Sequence, residues 1–358
     1  MTAPWVRPAE LVELTSRFLD AVYSEERGLY PFTTSVVDGR YVSDYGPGAV
    51  RYSINTLLGR FATAADSGQF AQQLERLRSE HGSTLGAGDS GLMLVLLAET
   101  GAPDLQSALA TAQAALEREG LARTNLQDLS WLAWGAARAA EAGVEGAEPF
   151  AHELREGLRA LAGPGALASH TRSRARKDLV SFGSTVYYLR ALHELGRVLD
   201  DAEATTAFEH GVRTALGFQG PRGEWPWLIS VSRGHALDVY PVYSVHQLAM
   251  AMLFLLPALD DGAVEGIEQA IKRSVRWVAG ENELGVEFGQ REPFIVFRSL
   301  ERAEPLPKLA RVARAGANSA LGRATPETPA RRTRINREWR SYEGGWLLYA
   351  WADRELEI

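Results

Sequence analysis

The feature that most constrains the fold is an alternation between two kinds of helical segment. Amphipathic segments repeat apolar residues at helical spacing, as at Leu105, Leu109 and Leu116. Between them lie runs that are apolar nearly all round, such as residues 91–98 (GLMLVLLA). A helix without a polar face must be covered on every side. The alternation therefore predicts an inner layer of buried helices and an outer layer of amphipathic ones.

Six of the buried runs begin with polar or aromatic residues. We call these segments the heads, and they occupy residues 51–53, 89–91, 128–131, 181–183, 240–247 and 342–346. Their recurrence is a weak repeat of roughly 35 to 60 residues. Six helical hairpins closed into a ring would bring all six heads to one mouth. Free N–H groups and helix dipoles there favour anionic or hydroxyl-rich ligands, although Asp89, Ser90, Asp128 and Ser181 also fit ordinary N-caps.

We therefore predict an all-α fold, a single (α/α)6-type toroid of about twelve helices spanning residues 1–358. Strand signals are few, and they predict short loop strands at residues 39–43, 228–231 and 295–297. No Pro/Ser-rich linker divides the chain. The least regular segment is 280–340, and within it residues 324–334 have the composition of a surface loop.

Composition excludes several classes of function. The net charge of −7 argues against a nucleic-acid partner. Without cysteine the chain has no thiolate zinc or iron–sulfur site, and none of the seven histidines lies three or four residues from another. We therefore predict no metal and no cofactor. No apolar run reaches the roughly 18 residues of a membrane span, and we expect a cytoplasmic protein with no signal peptide.

Several motifs resemble a bacterial family whose biochemistry is little characterised. They are Gln219-Gly220 and residues 223–227 (GEWPW), 240–247 (YPVYSVHQ), 280–285 (GENELG), 297–299 (FRS) and 342–350 (YEGGWLLYA). Members of this family often accompany exopolysaccharide and glycosyltransferase genes. The helical pattern also looks like the (α/α)6 toroids of six-hairpin glycosidases, polysaccharide lyases, sugar epimerases and terpenoid cyclases. The resemblance implies the toroid fold and a link with polysaccharide metabolism, but no particular activity.

The heads and the loop before the fifth head supply the candidate ligand-binding residues. Trp225 and Trp227 flank a proline, and their indoles could stack on a sugar ring or merely plug the edge of the toroid. Arginines could pair with a carboxylate or phosphate, or with surface acids. The full set is Arg51, Tyr52, Asp89, Trp225, Trp227, Tyr240, Tyr243, Gln247, Arg340, Tyr342 and Trp346, with Arg298 as a further arginine.

Glycosidic chemistry commonly uses two carboxyl groups on either side of the sugar. Glu343 is the first candidate because glycines and aromatic residues surround it, although a first-turn charge also complements the helix dipole. Asp238 and Glu283, with Glu281 beside the latter, are candidate partners. His246 is a candidate proton shuttle, although a lone histidine in a buried helix is more often a core group.

The predicted function is that of a carbohydrate-active protein of polysaccharide metabolism. A glycoside hydrolase, a lyase or a sugar epimerase with a carboxylate acid/base pair would fit, and so would a non-catalytic glycan-binding or scaffold protein. Gln219 and Trp225 also resemble one glutamine–tryptophan repeat of triterpene cyclases, but the aspartate-rich acid motif of those enzymes is absent. Two expectations follow. Tyr52, Asp89, Tyr240, Tyr243 and Tyr342 should approach one cavity, and Glu343 should face Asp238, Glu281 or Glu283 across it.

Overall fold

The computed structural model describes residues 7–63, 67–173, 177–303, 308–323 and 330–354. Within this part of the chain there are thirteen α-helices and ten short β-strands. The predicted all-α class is therefore confirmed. None of the described helices combines the length and the apolar character needed to cross a membrane.

Six helices form a closed inner ring, in which each packs against the next and the last packs against the first. A π-helical turn, His246–Met250, precedes the fifth of them. These helices are the runs that the sequence marks as apolar all round, so their side chains are buried on every face. They are α2 (Ala49–Ala62), α4 (Ala87–Thr100), α6 (Leu126–Glu141), α8 (Phe182–Val198), α10 (Met252–Asp261) and α13 (Ser341–Trp351).

Six amphipathic helices alternate with the inner ones along the chain and cover them from outside. Each buries one stripe of apolar residues, as α11 does with Ile267, Ile271 and Val278. The outer helices are α1 (Pro8–Val22), α3 (Ser67–His81), α5 (Leu105–Glu119), α7 (Ala147–Arg159), α9 (Ala202–Leu216) and α11 (Ile267–Val278). The predicted twelve-helix toroid is thus present. The additional helix, α12 (Lys308–Leu321), lies between α11 and α13 in the chain.

The strands form small antiparallel sheets in the loops before the inner helices. β3 leads directly into α8, β6 into the π-helical turn, and β10 towards α13. The strands are β1 (Thr33–Val37), β2 (Arg40–Asp44), β3 (Leu179–Ser181), β4 (Leu228–Ser230), β5 (His235–Asp238), β6 (Val242–Tyr243), β7 (Gly289–Arg291), β8 (Phe294–Val296), β9 (Ser299–Arg302) and β10 (Thr333–Asn336). Segment 280–340, predicted to be irregular, contains β7 to β10 and α12. Residues 324–329 of the predicted loop lie outside the described residues.

Glycines allow the backbones of neighbouring inner helices to touch. A Cβ atom on Gly59 of α2 would lie 2.0 Å from the carbonyl oxygen of Gly345 in α13. The same holds between α4 and α6, where a Cβ on Gly135 would lie 2.6 Å from the carbonyl oxygen of Gly91. No side chain fits at such a separation, so these positions fix the diameter of the ring.

We expect Gly59→Ala to destabilise the protein by about 1–3 kcal/mol or more, because the new methyl group must push α2 away from α13. Gly316→Ala is the matched control, since a Cβ at this helical position of α12 meets nothing within 4 Å. Alanine there should be neutral or stabilise by up to about 1 kcal/mol. Urea unfolding followed by circular dichroism measures both. Equal stabilities for the two variants would contradict close packing of the ring.

Candidate active site

A cavity of about 250 Å³ lies where the N-terminal ends of the inner helices meet. First-turn residues of α2, α6, α8 and α13 contribute to its wall, together with the π-helical turn. The wall is aromatic and polar, and none of its described residues is an aspartate or a glutamate. Its charged members are Arg51 and Arg298. Five of the six heads identified in the sequence therefore line one site, and head 89–91 reaches it only through the contact of Asp89 with Arg51.

Arg51 occupies the wall between two carboxylates from neighbouring inner helices. Its Nε donates to Asp89 in the first turn of α4, and its Nη2 lies 3.9 Å from Oδ1 of Asp128 in the first turn of α6. The guanidinium carbon also lies 5.1 Å from the centroid of the Trp131 ring. Burial raises the pKa of Asp128, although Arg51 and Asn125 act against the rise. Asp89 thus orients Arg51 and does not itself line the cavity.

An aromatic stack forms the side of the cavity between α2 and α13. The Tyr52 ring lies between Phe32 (4.9 Å between centroids) and Tyr342 (4.5 Å). Arg340, which precedes α13, covers the Phe32 ring at 4.4 Å and donates from Nη1 to the Tyr52 hydroxyl (2.9 Å). Tyr52 and Tyr342 line the cavity. Arg340 fixes the orientation of Tyr52 from behind.

Glu343 lies behind the wall, paired with Arg298. Arg298 Nη1 donates to Glu343 Oε1 at 2.7 Å, and Arg298 Nε lies 3.4 Å from Glu338. Glu343 is only 2% exposed, and its Oε2 is buried with no hydrogen-bond partner among the described residues. Burial raises the pKa of Glu343 to about 7, although Arg298 and Arg340 act against the rise. The carboxyl group therefore keeps its proton to a higher pH than an exposed glutamate does.

His246, in the π-helical turn, presents an imidazole in the wall of the cavity. Its ring packs against Tyr243 and Phe182, with centroids 5.0 Å away in both cases. Its Nδ1 is buried and has no hydrogen-bond partner among the described residues. Burial and the nearby charge of Arg298 lower the pKa of His246 to about 3. The imidazole is therefore neutral at physiological pH.

The other candidate carboxylates do not face Glu343 across the cavity, so that expectation does not match the structure. Asp238 is buried and accepts hydrogen bonds from Arg302 (2.9 Å) and Arg314 (3.0 Å). Glu283 accepts from the Tyr240 hydroxyl (3.2 Å) and from Trp277 Nε1 (3.0 Å). Glu281 is exposed. The buried Asp238 and the half-buried Glu283 are held in place by ion pairs and hydrogen bonds within the protein.

Besides Asp89 and Arg340, four further predicted ligand-binding residues lie outside the described wall. Tyr240 contacts Glu283, as above. Trp225 is fully buried, stacks on Phe182 and donates from Nε1 to Ser274 (2.7 Å). Gln247 is also fully buried, with its amide between the Gly223 carbonyl (3.0 Å) and the Trp225 N–H (3.2 Å). Trp346 donates from Nε1 to the Tyr187 hydroxyl at 3.0 Å. By contrast, Trp227 and Tyr243 line the cavity.

Sequence reasoning missed several residues of the wall. Asn55, Gln127, Trp131 and Tyr187 all line the cavity, and none was predicted to bind a ligand. A usable signal existed, because Asn55 lies one helical turn after Arg51 and Tyr187 one turn after Gly183. Side chains one turn apart share a face of a helix. Extending each head by one turn would therefore have identified Asn55 and Tyr187.

No protein-family model and no curated protein sequence matches the chain. Solved structures with the same fold include cellobiose 2-epimerase from Bacillus thermoamylovorans, with 12% identity and a TM-score of 0.67, covering 97% of this chain and 98% of that one. Another is the unsaturated glucuronyl hydrolase of Streptococcus agalactiae, with 11% identity and a TM-score of 0.61, covering 98% of this chain and 92% of that one. A third is an inactive α-1,6-mannanase variant from Salegentibacter in complex with α-1,6-mannotriose. It has 12% identity and a TM-score of 0.58, and the match covers 96% of this chain and 99% of that one. The chain thus has the six-hairpin, glycosidase-like (α/α)6 fold.

The raised pKa of Glu343 predicts a pH dependence of stability. From about pH 4.5, where a free glutamate ionises, to about pH 7, the folded protein holds a proton that the unfolded chain releases. The contribution of Glu343 to stability should therefore fall as the pH rises through this window. Urea unfolding at pH 5 and pH 8 should show that the wild type loses stability relative to Glu343→Gln. The exposed Glu281→Gln is the control and should follow the wild type. Parallel profiles for the wild type and Glu343→Gln would contradict a protonated, buried carboxyl group.

Proposed function

We propose that the protein is a carbohydrate-active enzyme that holds one sugar unit in the cavity and transfers a proton at a carbon of that sugar. The cavity, at about 250 Å³, is slightly smaller than the usual range of ligand pockets, roughly 300–1,000 Å³, which suits a single sugar ring. The structural neighbours named above include an epimerase, a glucuronyl hydrolase and a mannanase. They support a carbohydrate ligand, while the details of the reaction are argued from the cavity itself.

The wall combines flat apolar faces with hydrogen-bonding groups, as sugar recognition requires. Trp131 and Trp227 offer indole rings for the apolar face of a sugar. Asn55 Oδ1, Trp131 Nε1 and His246 Nδ1 are buried without hydrogen-bond partners among the described residues. An unpaired buried group of this kind costs about 1–3 kcal/mol. Hydroxyl groups of a ligand, reached by small side-chain movements, would satisfy them.

The observation that carries the proposal is the neutral imidazole of His246, whose Nδ1 has no described hydrogen-bond partner, in a wall without a described carboxylate. Such an imidazole can accept a proton as a general base, and the negative charge that forms on the substrate would offset the burial that lowers the pKa of His246. It would remove the hydrogen on a sugar carbon next to a carbonyl or carboxylate group. The C–H electrons then form a C=C bond, and the C=O π electrons move to the oxygen. Arg298, in the same wall, would stabilise the resulting negative charge.

Epimerisation and elimination share this first step. Return of a proton to the opposite face of the carbon inverts its configuration, whereas loss of the substituent on the next carbon cleaves a chain as a lyase does. Glu343 would support either outcome from behind the wall, because its ionisation near pH 7 adjusts how much of the Arg298 charge is free. In this proposal Glu343 therefore has a positioning role and is not the group that touches the substrate.

One observation favours glycoside hydrolysis as a second candidate. Asp89 and Asp128 both approach Arg51, and burial raises the pKa of Asp128, as expected for a general acid. A shift of Arg51 on ligand binding would open these carboxyl groups to the cavity. The third candidate is a non-catalytic glycan-binding protein with the same wall. A role in polysaccharide metabolism and a cytoplasmic location belong to the proposal, supported by the sequence resemblance and by a cysteine-free composition typical of reducing compartments.

The test is proton exchange with solvent. The protein is incubated in D₂O with free hexoses, disaccharides, uronic acids and sugar phosphates, and NMR follows deuterium entering the sugar carbon. The wild type should exchange at least one sugar, and His246→Gln should slow exchange at least about 100-fold. His193→Gln is the matched control, because His193 lies in another cavity beside Glu194 and Asp261, and it should leave the rate unchanged.

The same variants separate the three candidates. Release of new reducing ends from oligosaccharides, abolished by Asp128→Asn and retained by His246→Gln, would favour the hydrolase and overturn proton transfer by His246. Binding of a sugar by the wild type without exchange or cleavage would favour the glycan-binding protein. Thermal unfolding of each variant shows whether a loss of activity reflects the site or the fold.

A further inference from the structure

The helix outside the twelve-helix pattern, α12, is built onto the outer side of the cavity wall. It packs against β5 and takes part in a small hydrophobic cluster separate from the main core. This cluster buries Ala315 together with Trp227, Leu228 and Leu237, and Val312 and Tyr243 pack against it. Trp227 and Tyr243 both line the cavity. The position of α12 is therefore tied to the two aromatic residues that a ligand would contact.

Polar contacts fix α12 in this place, and the buried Asp238 takes part in them. The buried Asp238 carboxylate accepts from Arg314 of α12 on one oxygen and from Arg302 of β9 on the other. The Ser319 hydroxyl, near the end of α12, donates to Asp178. These contacts hold the middle and the C-terminal end of the helix, and Arg311 lies about one turn before the first of them.

Arg311 does not itself line the cavity, but it is the cation that this arrangement places against the wall. Its guanidinium carbon lies 4.8 Å from the centroid of the Trp227 ring, which forms part of the wall. Arg314 pairs with Asp238, but Arg311 forms no ion pair with any described carboxylate, and its Nε is buried without a hydrogen-bond partner among those residues. Burial raises the pKa of Tyr243, and the charges of Arg298 and Arg311 act against that rise. The charge of Arg311 thus acts on Tyr243, a residue of the wall.

The electrostatics of the wall point in the same direction. Arg51 and Arg298 line it, and the described wall contains no carboxylate. The inner helices direct the positive ends of their dipoles towards it. Both of these arginines are ion-paired, Arg51 with Asp89 and Arg298 with Glu343. The positive charge left for a ligand is therefore that of Arg311 together with the helix dipoles, and it favours a ligand with a negative group.

We infer that the sugar bound in this cavity carries a carboxylate or a phosphate, and that Arg311 of α12 determines this preference. The inference rests on the proposed function, because it takes the cavity to be a sugar site. Arg311 would hold the anion while Trp227, on which it lies, stacks against the ring. Arginine suits both parts of this task, since its planar guanidinium group stacks on an indole and pairs with oxyanions.

The experiment compares matched sugars on the full chain. D-glucose, D-glucuronate and D-glucose 6-phosphate are titrated into the wild type, and binding is followed by NMR of the tryptophan indole N–H signals. The wild type should bind glucuronate or the 6-phosphate about tenfold more tightly than glucose, and the two anions distinguish a carboxylate from a phosphate site. Arg311→Gln should abolish the difference without weakening glucose binding, and Arg311→Lys should retain part of it.

Arg323→Gln is the control, because it removes an exposed arginine just beyond α12. It should leave all three affinities unchanged, and thermal unfolding should show the same stability for both glutamine variants. Added salt should reduce the anion preference of the wild type and not that of Arg311→Gln. The inference is overturned if the wild type binds neither anion better than glucose, or if Arg311→Gln keeps the full preference. Neither result decides the deuterium-exchange test of His246, so the proposed function can stand or fall separately.

Discussion

Backbone contact between neighbouring inner helices is the constraint on which the rest of the structure depends. Gly59 against Gly345, and Gly91 against Gly135, bring helices together at distances that exclude any side chain. Close packing of this kind holds the inner helices in a common register around the ring. As a result five of the six heads, which are far apart in sequence, line one mouth, and head 89–91 contacts it through Arg51. The cavity is therefore a consequence of how tightly the ring closes.

The same burial sets the protonation of the groups around the cavity. It keeps His246 neutral and brings the pKa of Glu343 to about 7, while Arg298 contacts Glu343 directly and acts on His246 through its charge. The wall thus combines a neutral proton acceptor with a fixed cation and an adjustable carboxyl group behind it. From outside, α12 adds a further cation through Arg311. Glu343 and Asp238, two of the carboxylates predicted from the sequence, lie beside the cavity and not in it because arginines bind them there.

The fold could be predicted because it follows from local patterns in the sequence. A helix that is apolar all round has to be an inner helix, and the polar head shows where that helix begins. The site was predicted only in part, because ion pairing between distant segments decides whether a carboxylate is free. Asp238 meets Arg302 and Arg314, which lie 64 and 76 residues further along the chain. Sequence spacing cannot reveal such partners. The helix α12 was also missed, since its buried positions are small residues such as Ala315 that give a weak apolar signal.

The central claim is that the mouth of the inner ring binds a sugar. The most direct test is a crystal structure of the protein soaked with the sugar whose carbon takes up deuterium fastest. The account predicts a sugar ring between Trp131 and Trp227, with His246 within hydrogen-bond distance of the ring and its anionic group towards Arg298 and Arg311. A sugar bound in the separate cavity beside His193 and Glu194, with the mouth of the ring empty, would contradict the account.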